Sequence, residues 1–337
     1  MKTKLLLTAV CSFFLLHSAF GQGALTPPGA PAPGMKTLAQ IEPRTPISSV
    51  PFTISQPGSY YLTTNLTGVS GQNGITISNN NVTLDLNGFA LTGVAGSSYG
   101  VVISGSWTNE TIRNGSISGW GNSGADGYSF AGNSRSECWE HLSVSANSSF
   151  GIYAGNASVR DCLCFGNANV GIRCNIGEIR NCVSAQNGGA GIVLQNGDVR
   201  DCESHDNNFD GISVSPGFVT GCLVQNNGQS GILVNLPGSQ VIGNNCIGNN
   251  TSGSTFGAGI YINDSNNRIE DNHVSASGYA GISVNSIYTH NFIIKNTVTG
   301  NGTNDYIYNT SQIVGPIITN TVSGIITNSN PWANFAF

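Results

Sequence analysis

From Gly151 to Ser230 the apolar positions recur on a frame of twenty residues. Four rows follow one another without a gap: GIYAGNASVRDCLCFGNANV, GIRCNIGEIRNCVSAQNGGA, GIVLQNGDVRDCESHDNNFD and GISVSPGFVTGCLVQNNGQS. Each opens Gly-Ile, carries cysteine at its twelfth position (Cys162, Cys182, Cys202, Cys222) and asparagine at its seventeenth (Asn167, Asn187, Asn207, Asn227). Within a row, apolar and polar residues alternate over short stretches separated by Gly, Asn and Asp. Alternation with period two marks a half-buried strand, and the punctuating residues are those of tight turns. Each row therefore predicts three short strands. Looser rows open at Gly74, Gly100, Gly127, Gly231, Gly259 and Gly281, with a degenerate one near Tyr306.

A unit of this length cannot bury its apolar face alone and must stack on its neighbours, which makes the chain a solenoid. The Leu-x-x-Leu-x-Leu frame of leucine-rich repeats is absent, as are a strict hexapeptide period and the G-G-x-G-x-D nonapeptide. What remains is an all-β, single-stranded right-handed parallel β-helix of about ten or eleven coils.

Side-chain alternation assigns the faces. In the first strand of each row the residue after glycine points inward: Ile75, Val101, Tyr128, Ile152, Ile172, Ile192, Ile212, Ile232, Ile260, Ile282 and Ile307. In the second, Val159, Ile179, Val199 and Val219 point in while Arg160, Arg180 and Arg200 point out, with Glu178 and Asp198 nearby as partners. The twelfth-position cysteines face inward, and so do Cys164, Ser184, Ser204 and Val224 two residues later. Cys138, twelfth from Gly127, and Cys246 extend the cysteine file. A buried thiol behaves as a small hydrophobe, so the file reads as core filling. Neighbouring rungs lie within disulfide reach, which leaves a Cys162–Cys182 or Cys202–Cys222 bridge open. The seventeenth-position asparagines predict a stacked amide ladder that satisfies buried backbone groups.

On the frame G-I-x-V … V-R-[DN]-C-x-[SA]-x-x-N and the opening PFTISQPGSYYLTTNLTG, the chain resembles the secreted right-handed β-helix repeat proteins of the pectin-lyase-like superfamily. The resemblance runs from about Pro51 to Phe337. It implies the fold; that superfamily holds lyases, glycosidases, epimerases and adhesins, so it implies no single activity. The N-T-D, D-D, G-H-G and R-I-K motifs of polygalacturonase-type enzymes are absent, and so are W-x-D-H and R-x-P-x-x-R of pectate lyases. The resemblance also directs attention to the outer face of the first strand. That column is expected to run Thr76, Val102, Ser129, Tyr153, Arg173, Val193, Ser213, Leu233, Tyr261, Ser283, Tyr308, without a carboxylate. A glycosidase needs two carboxylates, and a calcium-assisted lyase needs acidic ligands and a base. The candidate ligand-binding residues are Tyr153, Arg173 and Tyr261: aromatic rings stack on sugar faces and a guanidinium pairs with a uronate or sulfate. Longer rows flanking the short ones predict a shallow groove with Arg173 on its floor.

A second candidate set lies in the acidic row. Glu203 and His205 face outward on the third strand, beside the apolar Leu163, Phe165, Val183, Ala185 and Leu223, and Asp206 and Asp210 follow in the turn. If the chain is a polysaccharide lyase or glycoside hydrolase, these four would supply its acid and base. Neither a metal nor another cofactor is expected. Calcium has no motif, and the thiols lack zinc spacing.

Composition and charge fit this picture. Only 9% of residues are charged, against roughly 25% in ordinary domains, and Gly and Asn supply the polar bulk. The net charge is −5, and loss of Lys2 and Lys4 would take it to −7. No basic patch exists to bind nucleic acid or an anionic membrane. Residues 1–21 read as a signal peptide: Lys2 and Lys4, an apolar run too short to span a bilayer, then Ala19-Phe20-Gly21. Residues 22–46 form a Pro/Gly-rich spacer, in which MKTLAQI is expected to make one helical turn as an N-terminal cap. The β-helix then occupies 47–337, with a C-terminal cap from about 306 that includes GIITNSNPWANFAF. The expected protein is an exported monomer (secreted, periplasmic or at the cell surface) with no transmembrane segment. Its expected partner is an extracellular or cell-wall polysaccharide, with a purely structural surface role as the other non-catalytic reading.

Overall fold

The computed structural model describes residues 42–128, 135–255, 257–319 and 328–337. The signal peptide, the spacer up to residue 41 with its helical turn, Ser129, and residues 320–327 of the tail lie outside the described residues. All strand pairings are parallel and join each strand to its equivalent one row away. The first-strand file runs from Phe52–Ile54 to Asn304–Ile307, giving about twelve turns. The extra turn lies before Gly74, where Phe52 pairs with Ile75, and Thr45–Ile47 adds a second-strand rung below Tyr60–Leu62.

In the short rows the first and second strands fuse into continuous nine-residue strands, Ile152–Arg160, Ile172–Arg180 and Ile192–Arg200. Their registers are Ile172↔Ile192, Ile179↔Val199 and Ser184↔Ser204, with all six side chains fully buried. Branched residues in vertical contact fill the narrow coil, because a residue repeating on each rung meets its own kind at the strand spacing of ~4.8 Å. The turn between second and third strands uses left-handed backbone at Asp161, Asn181, Asp201 and Gly221 (φ 54°, 51°, 51° and 66°). Asn, Asp and Gly tolerate that conformation best, which explains why the frame admits little else there.

Asparagines form the predicted ladder. Nδ2 of Asn147, Asn167, Asn187, Asn207 and Asn227 donates to Oδ1 of the next rung, ending at Asn249, over 2.9–3.0 Å. The same oxygens accept backbone N–H groups, as Asn207 Oδ1 does from Asn187 N at 3.0 Å. The ladder also explains the row-opening glycine: a Cβ on Gly191 would stand 2.6 Å from Asn207 Nδ2.

The cysteine file has a polar purpose as well. Each thiol faces a carbonyl left by the second strand of the row below: Cys182 Sγ reaches Val159 O at 3.6 Å and Cys202 Sγ reaches Ile179 O at 3.5 Å. Beyond Cys222 the file continues not with Cys246 but with Asn244, Asn272, Asn296 and Asn334. Their amides serve equivalent carbonyls: Asn244 Nδ2 donates to Val219 O at 2.9 Å and Asn272 Nδ2 to Val241 O at 2.8 Å. Cys246 instead pairs with Val224, in the file of Cys164 and Ser184. All eight described cysteines are free, so neither bridge forms.

The row counted from Gly127 is framed differently. It opens at Gly124, whose carbonyl accepts the Val101 N–H, so Ala125, not Tyr128, occupies the inward file and Asp126, not Ser129, the outward one. Cys138 thereby leaves the cysteine file. It pairs with Ser158 on the second strand, while Leu142 takes the place below Cys162. Extra residues after Gly127 had made the count agree by coincidence. In the last row Tyr306 points in and Ile307 out, one residue earlier than expected, since Tyr306 pairs with Ile282.

Candidate functional site

The outer column of the first strand now runs Thr76, Val102, Asp126, Tyr153, Arg173, Val193, Ser213, Leu233, Tyr261, Ser283, Ile307. Tyr153 is the centre of an aromatic group. Its ring lies 4.8 Å from Tyr128 and 4.7 Å from Phe150, centroid to centroid. The Arg173 guanidinium sits 5.5 Å from the Tyr153 ring on the other side. All four side chains are half-buried, so each ring keeps an accessible portion. Arg44, Arg113, Arg160, Arg200 and Arg268 each face a carboxylate. Arg173, like Arg180 on the neighbouring face, has no ion-pair partner among the described residues. Tyr261 stands five rungs from Tyr153, ~24 Å at the strand spacing, and belongs to a separate stretch of the face.

Between them, over the short rows, lies a groove of about 570 Å³. Its floor carries Val193 and Ser213, and its rim carries Asn175, Gln195, Asn196 and Asn235. Asn175 follows Arg173 by two residues on the same strand, and Val193 is its rung neighbour, so the groove adjoins Arg173 without being lined by it.

Three carboxyl groups escaped the sequence reading. Asp126 is buried in the outer column and accepts the Tyr128 N–H at 3.1 Å. Glu137 and Glu110 begin the second strands of adjacent rows and point inward. Glu137 accepts from Trp139 Nε1 at 2.8 Å and from Gly155 N at 3.2 Å. Burial nevertheless raises its pKa to about 8, assisted by the charges of Glu110 and Asp126, so the neutral acid is its form at pH 7. Among the described residues neither Glu110 oxygen has a hydrogen-bond partner, and burial pushes this group up to about 7. Asp126 was hidden because Ala125 replaces the usual Ile or Val of the frame. The inward alternation Glu137-x-Trp139 was the available signal for Glu137. Both glutamates face the coil interior, away from the groove.

The second candidate set divides. His205 Nδ1 lies 2.8 Å from Asp206 Oδ2, and Glu203 Oε1 lies 4.0 Å from His205 Nε2, all on the solvated third-strand face. Asp210 is not with them. It is buried, accepts the Ser230 N–H of the next row at 2.9 Å, and has its pKa raised by burial to about 6. It fastens a turn. Among the described residues no group of three or more His, Cys, Asp or Glu side chains is arranged to hold a metal ion. No described helix is long and apolar enough to cross a membrane.

A family model described as a right-handed beta helix region matches residues 196–330. Among solved structures the chain is similar to the A-module of the mannuronan C-5 epimerase AlgE6 of Azotobacter vinelandii. The identity is 17%, covering 83% of this chain and 89% of that one, with a TM-score of 0.54. It is also similar to a mutant of the periplasmic alginate epimerase AlgG, at 12% identity over 83% of this chain and 74% of that one, with a TM-score of 0.52. Identities this low establish the fold, a right-handed parallel β-helix. The search of curated proteins found none that matches this sequence.

Proposed function

We propose that this chain is an exported polysaccharide-binding β-helix that binds glycan on the outer face of its first strands and catalyses no reaction on it. The observation that carries this reading is the half-buried Tyr128–Tyr153–Phe150 cluster with Arg173, which faces no carboxylate among the described residues, beside it. Aromatic faces take the apolar side of a sugar ring, and a guanidinium takes a carboxylate or sulfate through paired hydrogen bonds. Export rests on the signal-type residues 1–21. The solved structures named above are described as epimerases of alginate or mannuronan, which are polysaccharides.

The enzyme reading has less support. Its acids would come from Glu203, His205, Asp206 and Asp210, yet Asp210 is bound to backbone away from the other three. Glu110 and Glu137 are turned inward.

The test is affinity electrophoresis of the purified protein in gels containing single polysaccharides, with parallel assays for reducing and unsaturated ends. Retention that falls several-fold in Tyr153→Ala, survives in His205→Ala, and comes with no product is the expected result. Product formation abolished by Glu203→Gln would refute the non-catalytic reading.

A further inference from the structure

We infer that the ligand of this face is a heteropolysaccharide whose acidic sugars are isolated between neutral ones, not a polymer with a charge on every residue. The inference rests on the proposed binding function and narrows it to a substrate class.

The distribution of charge along the column carries it. Arg173 is the single cationic residue in the column from Thr76 to Ile307. On one side, beyond Tyr153, the next column position is the buried Asp126, which offers no cation. On the other side the groove over the next rungs is lined by amides, hydroxyls and apolar groups, with no charged side chain among its described lining. One anionic sugar is therefore matched at Arg173 and at no neighbouring position. A polyuronate laid along the same line would set further carboxylates over Val193, Ser213 and Leu233. Each would give up part of its hydration without gaining a counter-charge, so the pairing at Arg173 is not repeated at the following rungs. Neutral sugars suit the same stretch, because Asn175, Gln195, Asn196 and Asn235 offer both donors and acceptors to hydroxyls. Exposed Ile176 and Leu236 at the groove rim give apolar contact to ring faces.

Three probes separate the classes: gellan, with one uronate in each repeat; polygalacturonate, with one on each sugar; and neutral dextran. Retention by affinity electrophoresis at fixed low salt is expected to be strongest on gellan, by about tenfold over dextran, the scale of one charge-assisted pair, and weaker on polygalacturonate than on gellan. Arg173→Gln should lower gellan retention by a similar factor and leave the response to dextran unchanged. Asn196→Lys, which places a cation in the groove at an exposed position, should raise polygalacturonate retention selectively. Equal or stronger retention on polygalacturonate by the unaltered protein would overturn the inference while leaving the binding function intact. So would gellan retention that ignores Arg173→Gln. Retention on none of the three would overturn the binding function and this inference together. Circular dichroism of each variant confirms that the solenoid is preserved.

Discussion

Replacing Glu137 by Gln removes a proton-binding group from the interior while keeping an oxygen acceptor for Trp139 Nε1 and Gly155 N. The carboxyl titrates near 4.5 in an unfolded chain and near 8 in the coil. Between those values the folded state holds a proton that the unfolded state has released. Stability therefore falls as pH rises through the window, and the loss is complete above about 8. At ~1.4 kcal/mol per pH unit, the gap from 4.5 to about 8 corresponds to about 5 kcal/mol. That is as large as the entire stability of many domains. Glu110, raised to about 7, acts in the same direction. Urea unfolding followed by the fluorescence of the wholly buried Trp120 and Trp139 at pH 5, 6, 7 and 8 reads the effect. The unaltered protein should lose stability steadily across the series, and Glu137→Gln should flatten the profile and be the more stable protein at pH 8. A profile that is level or rising in the unaltered protein, or a slope unchanged by Glu137→Gln, would refute the assignment of a buried neutral acid.

Two further outcomes follow from the interior files. Asn207→Ala breaks the amide ladder on both sides and leaves the Asn187 N–H and the Ser184 carbonyl without their partner; unsatisfied buried groups cost about 1–3 kcal/mol each, so a drop of several kcal/mol in urea unfolding is expected, against little change for an exposed Asn such as Asn196. In the thiol file, Cys202→Asn supplies a donor to the Ile179 carbonyl and should be better tolerated than Cys202→Ala, which leaves that carbonyl bare and opens a void; thermal melts of the two variants compare them directly, and the reverse order would show that volume alone sets the choice of cysteine.

The repeat was legible wherever the rows kept one length. Ile152, Ile172, Ile192 and Ile212 recur at intervals of twenty residues, and the structure puts them in register. Legibility failed where a row carries an insertion, because counting residues is not the same as counting rungs. Gly127 offered a second glycine close to the true opening at Gly124, and Tyr128 looked a better core residue than Ala125. That slip hid Asp126, and it placed Cys138 in a file that passes instead through Leu142. Cys246 was misassigned for a related reason: Cys and Asn occupy one file, so residue type did not mark position. The aromatic cluster was half visible. Tyr153 and Arg173 are adjacent rungs of the frame, but Phe150 and Tyr128 reach Tyr153 from turns whose course no periodicity describes.

Identical registers in the rows from Gly151 to Ser230 make length a separable property of this molecule. The peptide bond from Val170 to Gly171 and the one from Ala190 to Gly191 join equivalent points. Excising residues 171–190 would bring Gly151–Val170 against Gly191–Asp210 with every interior file unbroken. Duplication would add a coil on the same terms. The groove would then grow or shrink by ~4.8 Å at a time, so recombination between rows, with no new side chain invented, can set the length of the outer face rung by rung.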